Sequence, residues 1–239
     1  MSTRAWVSLS LSAIAALVAS ALPAAAQSNA GAWLAVQGTS LNADSRYPSG
    51  TEKVSGRAIG GEGGINWRLV SLRIGYHNGA LSPDTSGPSG RDYIEGFAFI
   101  GVRPIPGLEI SGGPRSRAYV RTVPVPPTLD GLPIGLEQEG TRESTQRWLT
   151  WEVHGRYEGA LVPDLLGGYG EVWAAVAGNV SNAGTFDRGR GAEAGVIVYL
   201  ARGLLGIRVG YALDETRLGA GTWRETVTGV RLAVGYGRR

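Results

Sequence analysis

The feature that most constrains this chain is a strict period of two near its C-terminal end. Within residues 227–236, Val230, Leu232, Val234 and Tyr236 alternate with Gly229, Arg231, Ala233 and Gly235, the spacing of a strand with one apolar face. An earlier stretch repeats the pattern, with Leu205, Ile207, Val209, Tyr211 and Leu213 on one side and Gly206, Arg208, Gly210, Ala212 and Asp214 on the other. A soluble sheet turns arginine and glycine toward water. Here the same alternation recurs behind an export signal, and the combination predicts a barrel whose apolar face meets lipid.

Residues 1–26 read as a cleaved signal peptide: Arg4 supplies the positive start, residues 7–18 a short apolar run, and Ala24 with Ala26 the small-x-small site before Gln27. The mature part, 27–239, has the length of one domain and no linker-like division. It holds all 38 glycines, which suit tight turns and crowded interiors. Its apolar runs fall well short of the roughly 20 residues a membrane helix requires, so strands are the only route into a bilayer. The chain has no cysteine, which excludes disulfides, thiolate metal sites and a lipoprotein anchor.

The net charge is +3, and the basic residues are spread singly. A nucleic-acid footprint would cluster them with aromatic residues, so no nucleic-acid partner is expected. Among the 23 basic residues only Lys53 is a lysine. Arginine's planar fork pairs two-pronged with carboxylates, a choice that suits buried ion pairs.

The alternation predicts an all-β fold: a closed, antiparallel, up-and-down transmembrane barrel of about ten strands. Strands are expected over 32–40, 55–67, 70–77, 91–103, 108–120 and 144–157, then around Val172–Val176, Ala194–Leu200, Leu205–Leu213 and the terminal stretch. Pro114 cannot donate to a ladder and predicts a bulge or an edge there. Longer connections at 41–54, 78–90, 121–143, 181–189 and 215–223 alternate with tight turns, and only 158–167 breaks the rhythm. Long outer loops and tight periplasmic turns give this pattern.

In this pattern residues 27–239 resemble the small bacterial outer-membrane β-barrel proteins, the group that includes OmpA- and OmpX-type barrels. The most specific piece is Val230-Arg231-Leu232-Ala233-Val234-Gly235-Tyr236, which looks like the C-terminal strand signal of that group. One departure is that Gly237, Arg238 and Arg239 follow Tyr236, where the family closes on an aromatic residue. The resemblance implies export through the periplasm to the outer membrane, contact with outer-membrane lipid, and the barrel-assembly machinery as partner during insertion.

The strand phases assign to the lumen Glu62, Arg68, Arg73, His77, Glu95, Arg103, Glu109, Arg115, Glu152, His154, Arg156, Glu171, Glu193, Arg208, Asp214 and Arg231. A ten-strand bore is narrow, and an unpaired charge within it would cost several kcal/mol. The expectation is therefore a non-enzymatic barrel whose lumen is plugged by Arg/Glu pairs, with a structural or surface-interaction role. A narrow passive channel for ions or small solutes is the alternative, and a soluble secreted β-barrel the second.

The two histidines are the candidates for acid–base catalysis. Glu152-x-His154 is the one local acid–imidazole pairing. The Asp-x-His of omptin-type proteases and the His-x-Ser of barrels resembling lipid A deacylases are both absent, so no catalytic residue is assigned. His154 is expected to bond Glu152 and Arg156, and His77 to lie at the rim near Asp92. Asp84, Asp92, Asp130, Glu137 and Glu139 lack the ligand spacing of a calcium loop; no metal and no cofactor is expected. Gly60-Gly61-Glu62-Gly63-Gly64 falls inside a strand pattern and reads as close packing rather than a phosphate cradle. Trp67, Tyr76, Trp151 and Tyr157 are expected as an aromatic girdle. Tyr47, Tyr93, Tyr119 and Trp223 are expected at the outer rim or in loops, which leaves an extracellular ligand open.

Overall fold

The computed structural model describes residues 30–47, 50–83, 90–124, 141–181, 185–200, 204–219 and 223–237. Ten strands follow one another: β1 (Ala30–Tyr47), β2 (Gly50–Trp67), β3 (Val70–Pro83), β4 (Arg91–Ile105), β5 (Leu108–Pro124), β6 (Thr141–Val162), β7 (Leu166–Ser181), β8 (Phe186–Leu200), β9 (Leu205–Leu218) and β10 (Trp223–Gly237). Each pairs antiparallel with its neighbours in sequence, and β10 returns to β1, so the sheet closes into an up-and-down barrel without an edge.

The polarity of the wall is inverted relative to a soluble barrel. Leu72, Ile100, Val102, Val153, Val172, Val196, Val209, Leu213, Val230, Leu232 and Val234 stand exposed on the outside, while Glu62, Arg73, Glu95, Arg115, Glu152, Glu171 and Arg208 are buried inside. Period-two alternation sends each set to its own face. Trp67, Trp151 and Tyr157 are exposed on the outer wall, Trp67 and Tyr157 near the tight-turn end of their strands.

The strands run further than their hydrophobic cores suggest. Residues 41–54, expected as a polar loop, are the paired ends of β1 and β2, in register from Leu41↔Gly56 to Tyr47↔Gly50. Their inward side chains Leu41, Ala43 and Val54 are apolar and buried. The outward Asn42, Asp44, Arg46 and Lys53 are polar, and that change of outer polarity is what gave the stretch its loop-like composition. Likewise β6 extends to Val162 and β7 starts at Leu166, so 158–167 contains a turn of residues 163–165 only, with Asp164 at φ 58°. The supposed exception thus joins the other tight connections at 68–69 and 106–107. Residues 125–140, with Asp130, Glu137 and Glu139, lie outside the described residues, as do 1–29 and Asp84.

Pro114 marks neither an edge nor a shift in register. The β4–β5 pairing lapses between Phe97↔Arg115 and Ile100↔Gly112, then resumes in phase; the shift lies instead near the turn, between Val102 and Ile105. Pro114 faces outward, so its missing donor interrupts the ladder without moving Arg115, Arg117 or Tyr119 off the inner face. Within the glycine-rich stretch of β2, a Cβ on Gly60 would fall 2.1 Å from the Tyr76 carbonyl oxygen; glycine there permits the close approach of β3.

The interior has two layers. Toward the β1–β2 hairpin end, Leu41, Val54, Leu81, Tyr93, Tyr119, Trp148, Val180, Leu218 and Val227 form an apolar core inside the barrel. Below it the bore is filled by charge.

In a bilayer, Val209→Arg at mid-wall is expected to cost about 2–4 kcal/mol, whereas Ala233→Ser on the inner face should be close to neutral. Gly210 is inward but does not share that tolerance, because a Cβ would fall 2.0 Å from the Tyr169 hydroxyl. Urea titration of liposome-inserted protein measures the difference; equal losses for Val209→Arg and Ala233→Ser would refute the assignment of faces.

Candidate functional site: the charged lumen

The lumen network grows from alternate residues of facing strands. Arg73 of β3 reaches across the bore to Glu171 of β7 in a two-pronged pair at 2.9 and 2.5 Å. The planar guanidinium matches the carboxylate fork, a geometry lysine lacks. The guanidinium also lies over Phe97 and Phe99, at 5.6 and 5.3 Å from the ring centroids. Glu171 accepts a further contact from His154 Nδ1 at 2.7 Å, and His154 Nε2 lies 3.0 Å from Glu152. The imidazole therefore bridges two carboxylates, sandwiched against Phe99 and Trp173 with ring centroids 4.2 and 5.8 Å away.

Above His154, Arg115 binds Glu95 and Asp214, each at 2.8 Å, and lies 3.6 Å from Glu152. Arg117 shares the same two acids at 3.2 and 3.0 Å and comes within 3.6 Å of Glu225. Tyr93 donates to Glu95 at 2.6 Å and Tyr119 to Glu225 at 2.7 Å, so the polar chain continues into the apolar layer through phenols, whose rings supply the apolar surface. Below His154, Arg156 and Arg208 converge on Glu158 at 3.3 and 3.1 Å, and Arg208 lies 3.7 Å from Glu62. Glu193 is held by Tyr169 at 2.7 Å and by a close pair with Arg231.

The free space follows this packing. A vestibule of about 380 Å³ lies at the tight-turn end, lined by Trp33, Glu158, Tyr199, Arg208 and Ala233. A neighbouring recess of about 230 Å³ is bordered by Arg103, Glu109 and Arg156. At the level of Arg73, Glu95 and His154 the space falls to about 40 Å³, and beside Arg115 and Asp214 to about 20 Å³.

Of the residues assigned to the lumen, Glu62, Arg73, Glu95, Glu152, His154, Arg156, Glu171, Glu193, Arg208 and Arg231 line this interior, while Arg103 and Glu109 sit at its mouth. Arg68 does not belong: it is exposed in the two-residue turn at φ 53°, with its guanidinium over Trp67. His77 is not at the rim but buried in the bore, its Nδ1 3.7 Å from Glu95, and Asp92 faces outward on the opposite phase of β4. His154 bonds Glu152 and Glu171, not Arg156. Tyr93 and Tyr119, expected at the rim or in loops, are buried inside.

Sequence reasoning missed Arg117, Glu158 and Glu225. Arg117 and Tyr119 continue the parity of Arg115 beyond Pro114. Glu225 shares the phase of Arg231 in the part of β10 before its apolar run, and Glu158 was hidden by the loop assigned over it.

No family model matches the chain, and no curated protein matches it in sequence. Among solved structures it is similar to the translocator domain of the autotransporter NalP from Neisseria meningitidis, with 14% identity, 95% of this chain and 97% of that chain covered, and a TM-score of 0.45. It is also similar to the β domain of the Bordetella autotransporter Brka (14% identity, 87% and 99% covered, TM-score 0.44). A third likeness is to Neisserial surface protein A (12% identity, 85% and 96% covered, TM-score 0.33). These likenesses are ones of fold.

Removing one member of a buried pair leaves the other charge uncompensated. Glu171→Leu, which strands Arg73 and frees His154, is expected to destabilise the barrel by about 3–5 kcal/mol, and the double change Arg73→Met/Glu171→Leu by clearly less than the sum of the singles. Urea-dependent loss of the heat-modifiable gel shift measures both; additive losses would show that the pair is not coupled.

Proposed function

We propose that this protein is a small outer-membrane barrel with an occluded lumen, whose work is structural or surface-interacting rather than catalytic or conductive. The observation that supports the reading is the packing of the bore interior in two stacked layers. A cavity of about 380 Å³ lies at the tight-turn end and one of only about 40 Å³ among Arg73, Glu171 and His154, and the apolar cluster around Tyr119, Trp148 and Leu218 lies beyond it. A passing ion would have to part charges already neutralised by one another and then cross an apolar layer.

Membrane residence is supported by the inverted wall, with apolar side chains exposed outside and acids and arginines buried within. A barrel of the kind that the C-terminal strand resembles would sit in the outer membrane with its tight turns in the periplasm. A non-enzymatic role is supported by the state of the histidine best placed for acid–base work. Both ring nitrogens of His154 are engaged by carboxylates, leaving none free to activate a nucleophile. Interaction with the surroundings then falls to the outer ends of the strands and the connections they carry.

Single-channel recording of the refolded chain in a planar bilayer, with the gel shift confirming folding, tests this. The wild-type barrel is expected to be silent, and Tyr119→Ala/Trp148→Ala combined with Arg115→Ser to give discrete current steps. Discrete, salt-dependent conductance from the wild type would overturn occlusion in favour of a narrow channel.

A further inference from the structure

The outer wall carries an arrangement that the lumen does not explain. Beyond the apolar band, and directly after it on β9, Arg188 of β8 stands opposite Arg217 of β9, Arg217 opposite Arg224 of β10, and Arg224 opposite Arg46 of β1. Four arginines thus form one unbroken cross-strand row on the outward phase. The next outward row below reads Arg190, Glu215, Thr226, Asp44 and Lys53 across β8 to β2. Like charges directly opposite one another destabilise a sheet, so such a row calls for counter-charge.

Among the described residues there is little of it. Glu215 lies beneath three guanidiniums, 2.8 Å from Arg217, 2.7 Å from Arg224 and 3.6 Å from Arg190. Asp44 lies 3.7 Å from Arg46. With Asp187 at the β8 irregularity, these are three carboxylates for the six cations of the two rows. Arg46 and Arg190 keep 65% and 64% of their side-chain surface exposed. The charge is also concentrated on this side: at the corresponding level β3 presents Asn78, Ala80 and Ser82, β4 Asp92, β7 Asn179 and Ser181, and β6 the single arginine Arg147.

The height of the row selects the ligand. From Leu205 to Leu213 the outward residues of β9 are apolar. Eight steps of about 3.3 Å on a strand tilted about 40° raise the wall by roughly 20 Å, close to the roughly 25 Å apolar band of such barrels. Glu215 and Arg217 follow at once, at headgroup level, with Leu213, Tyr211, Val209, Val230 and Leu232 exposed beneath them. A ligand that meets both parts needs anionic oxygens above and acyl chains below. Arginine forks favour phosphate, which accepts two parallel N–H donors.

We propose that the outer wall of β8, β9 and β10, with the adjoining Arg46 of β1, binds the phosphorylated headgroup of an outer-leaflet glycolipid, with its acyl chains laid on the apolar residues of β9 and β10 below. The inference rests on the outer-membrane reading above.

The test uses the full mature chain folded in zwitterionic micelles, with lipid A as probe and its dephosphorylated form as control, and native mass spectrometry counting retained lipid. Lipid A is expected to be retained and its dephosphorylated form lost. Arg217→Gln/Arg224→Gln should weaken retention about tenfold to hundredfold, and Arg147→Gln, an exposed arginine on β6 away from the row, should leave it unchanged. Arg46→Gln/Arg188→Gln, which spares every Glu215 contact, should weaken it in the same direction and serves if the first variant misfolds. Equal retention by wild type and both double variants would overturn the site while leaving a folded, bilayer-inserted barrel intact. Displacement of lipid A by millimolar inorganic phosphate would overturn it in favour of a soluble-anion site. Folding in plain buffer but not in lipid would overturn the membrane reading first, and the site with it.

Discussion

The pairing of arginine with carboxylate across the bore is the interaction on which the rest of this structure depends. A closed sheet satisfies its own backbone, but it does not fix what fills the centre, and a ten-strand bore is too narrow to hydrate a dozen charges freely. Here the charges hydrate one another. Arg73 ties β3 to β7, Arg115 and Arg117 tie β5 to β4, β9 and β10, and Arg208 ties β9 to β2 and β6. Apart from the β5–β4 tie, these link strands that are not neighbours in the ring, which neighbour-to-neighbour hydrogen bonds do not reach. They also account for the near absence of lysine, because few flexible ammonium groups would hold two acids at once in fixed directions.

The apolar layer above the network is its complement. Tyr93, Tyr119 and Trp148 pack as a ring cluster, with centroids 5.7 and 5.9 Å apart along the chain of contacts, among Leu41, Leu81 and Leu218 and with the guanidiniums of Arg117 and Arg91 over the two phenol rings. The two phenols keep their hydroxyls on Glu95 and Glu225 while their rings pack against each other and Trp148. Shielding lowers the local dielectric, which strengthens the ion pairs beneath and raises the cost of breaking any one. The layers therefore stabilise one another, although one is a set of charges and the other a small hydrocarbon core.

What was legible in the sequence was the parity of the strands, and the places where legibility failed share one cause. Val209 against Arg208 and Leu232 against Arg231 could be read because the outer face was apolar and the inner face polar. Beyond the apolar band the signs exchange: Leu41, Ala43 and Val54 point inward while Asn42, Asp44 and Lys53 point outward. The alternation persists, but its meaning reverses, and a reader following hydrophobicity sees a loop. The same exchange hid Tyr93 and Tyr119, which follow the inward phase of Glu95 and Arg117. His77 was misplaced because the loop expected after it was drawn too early; β3 runs on to Pro83. Cross-bore partners such as Arg73 and Glu171, 98 residues apart, leave no mark in a single sequence.

The length of the β1–β2 hairpin has a mechanical meaning. From Leu41↔Gly56 to Tyr47↔Gly50 the two strands continue in register, about 20 Å measured along the strand, braced from within by apolar side chains and joined on one side to β10 and on the other to β3. The connections at this end therefore start from a stiff collar and not from the apolar outer band. Such a collar fixes the distance between that band and anything that docks on the connections. Lengthening or shortening it by two residues, one pleat at a time, would change reach without altering which side chains are presented.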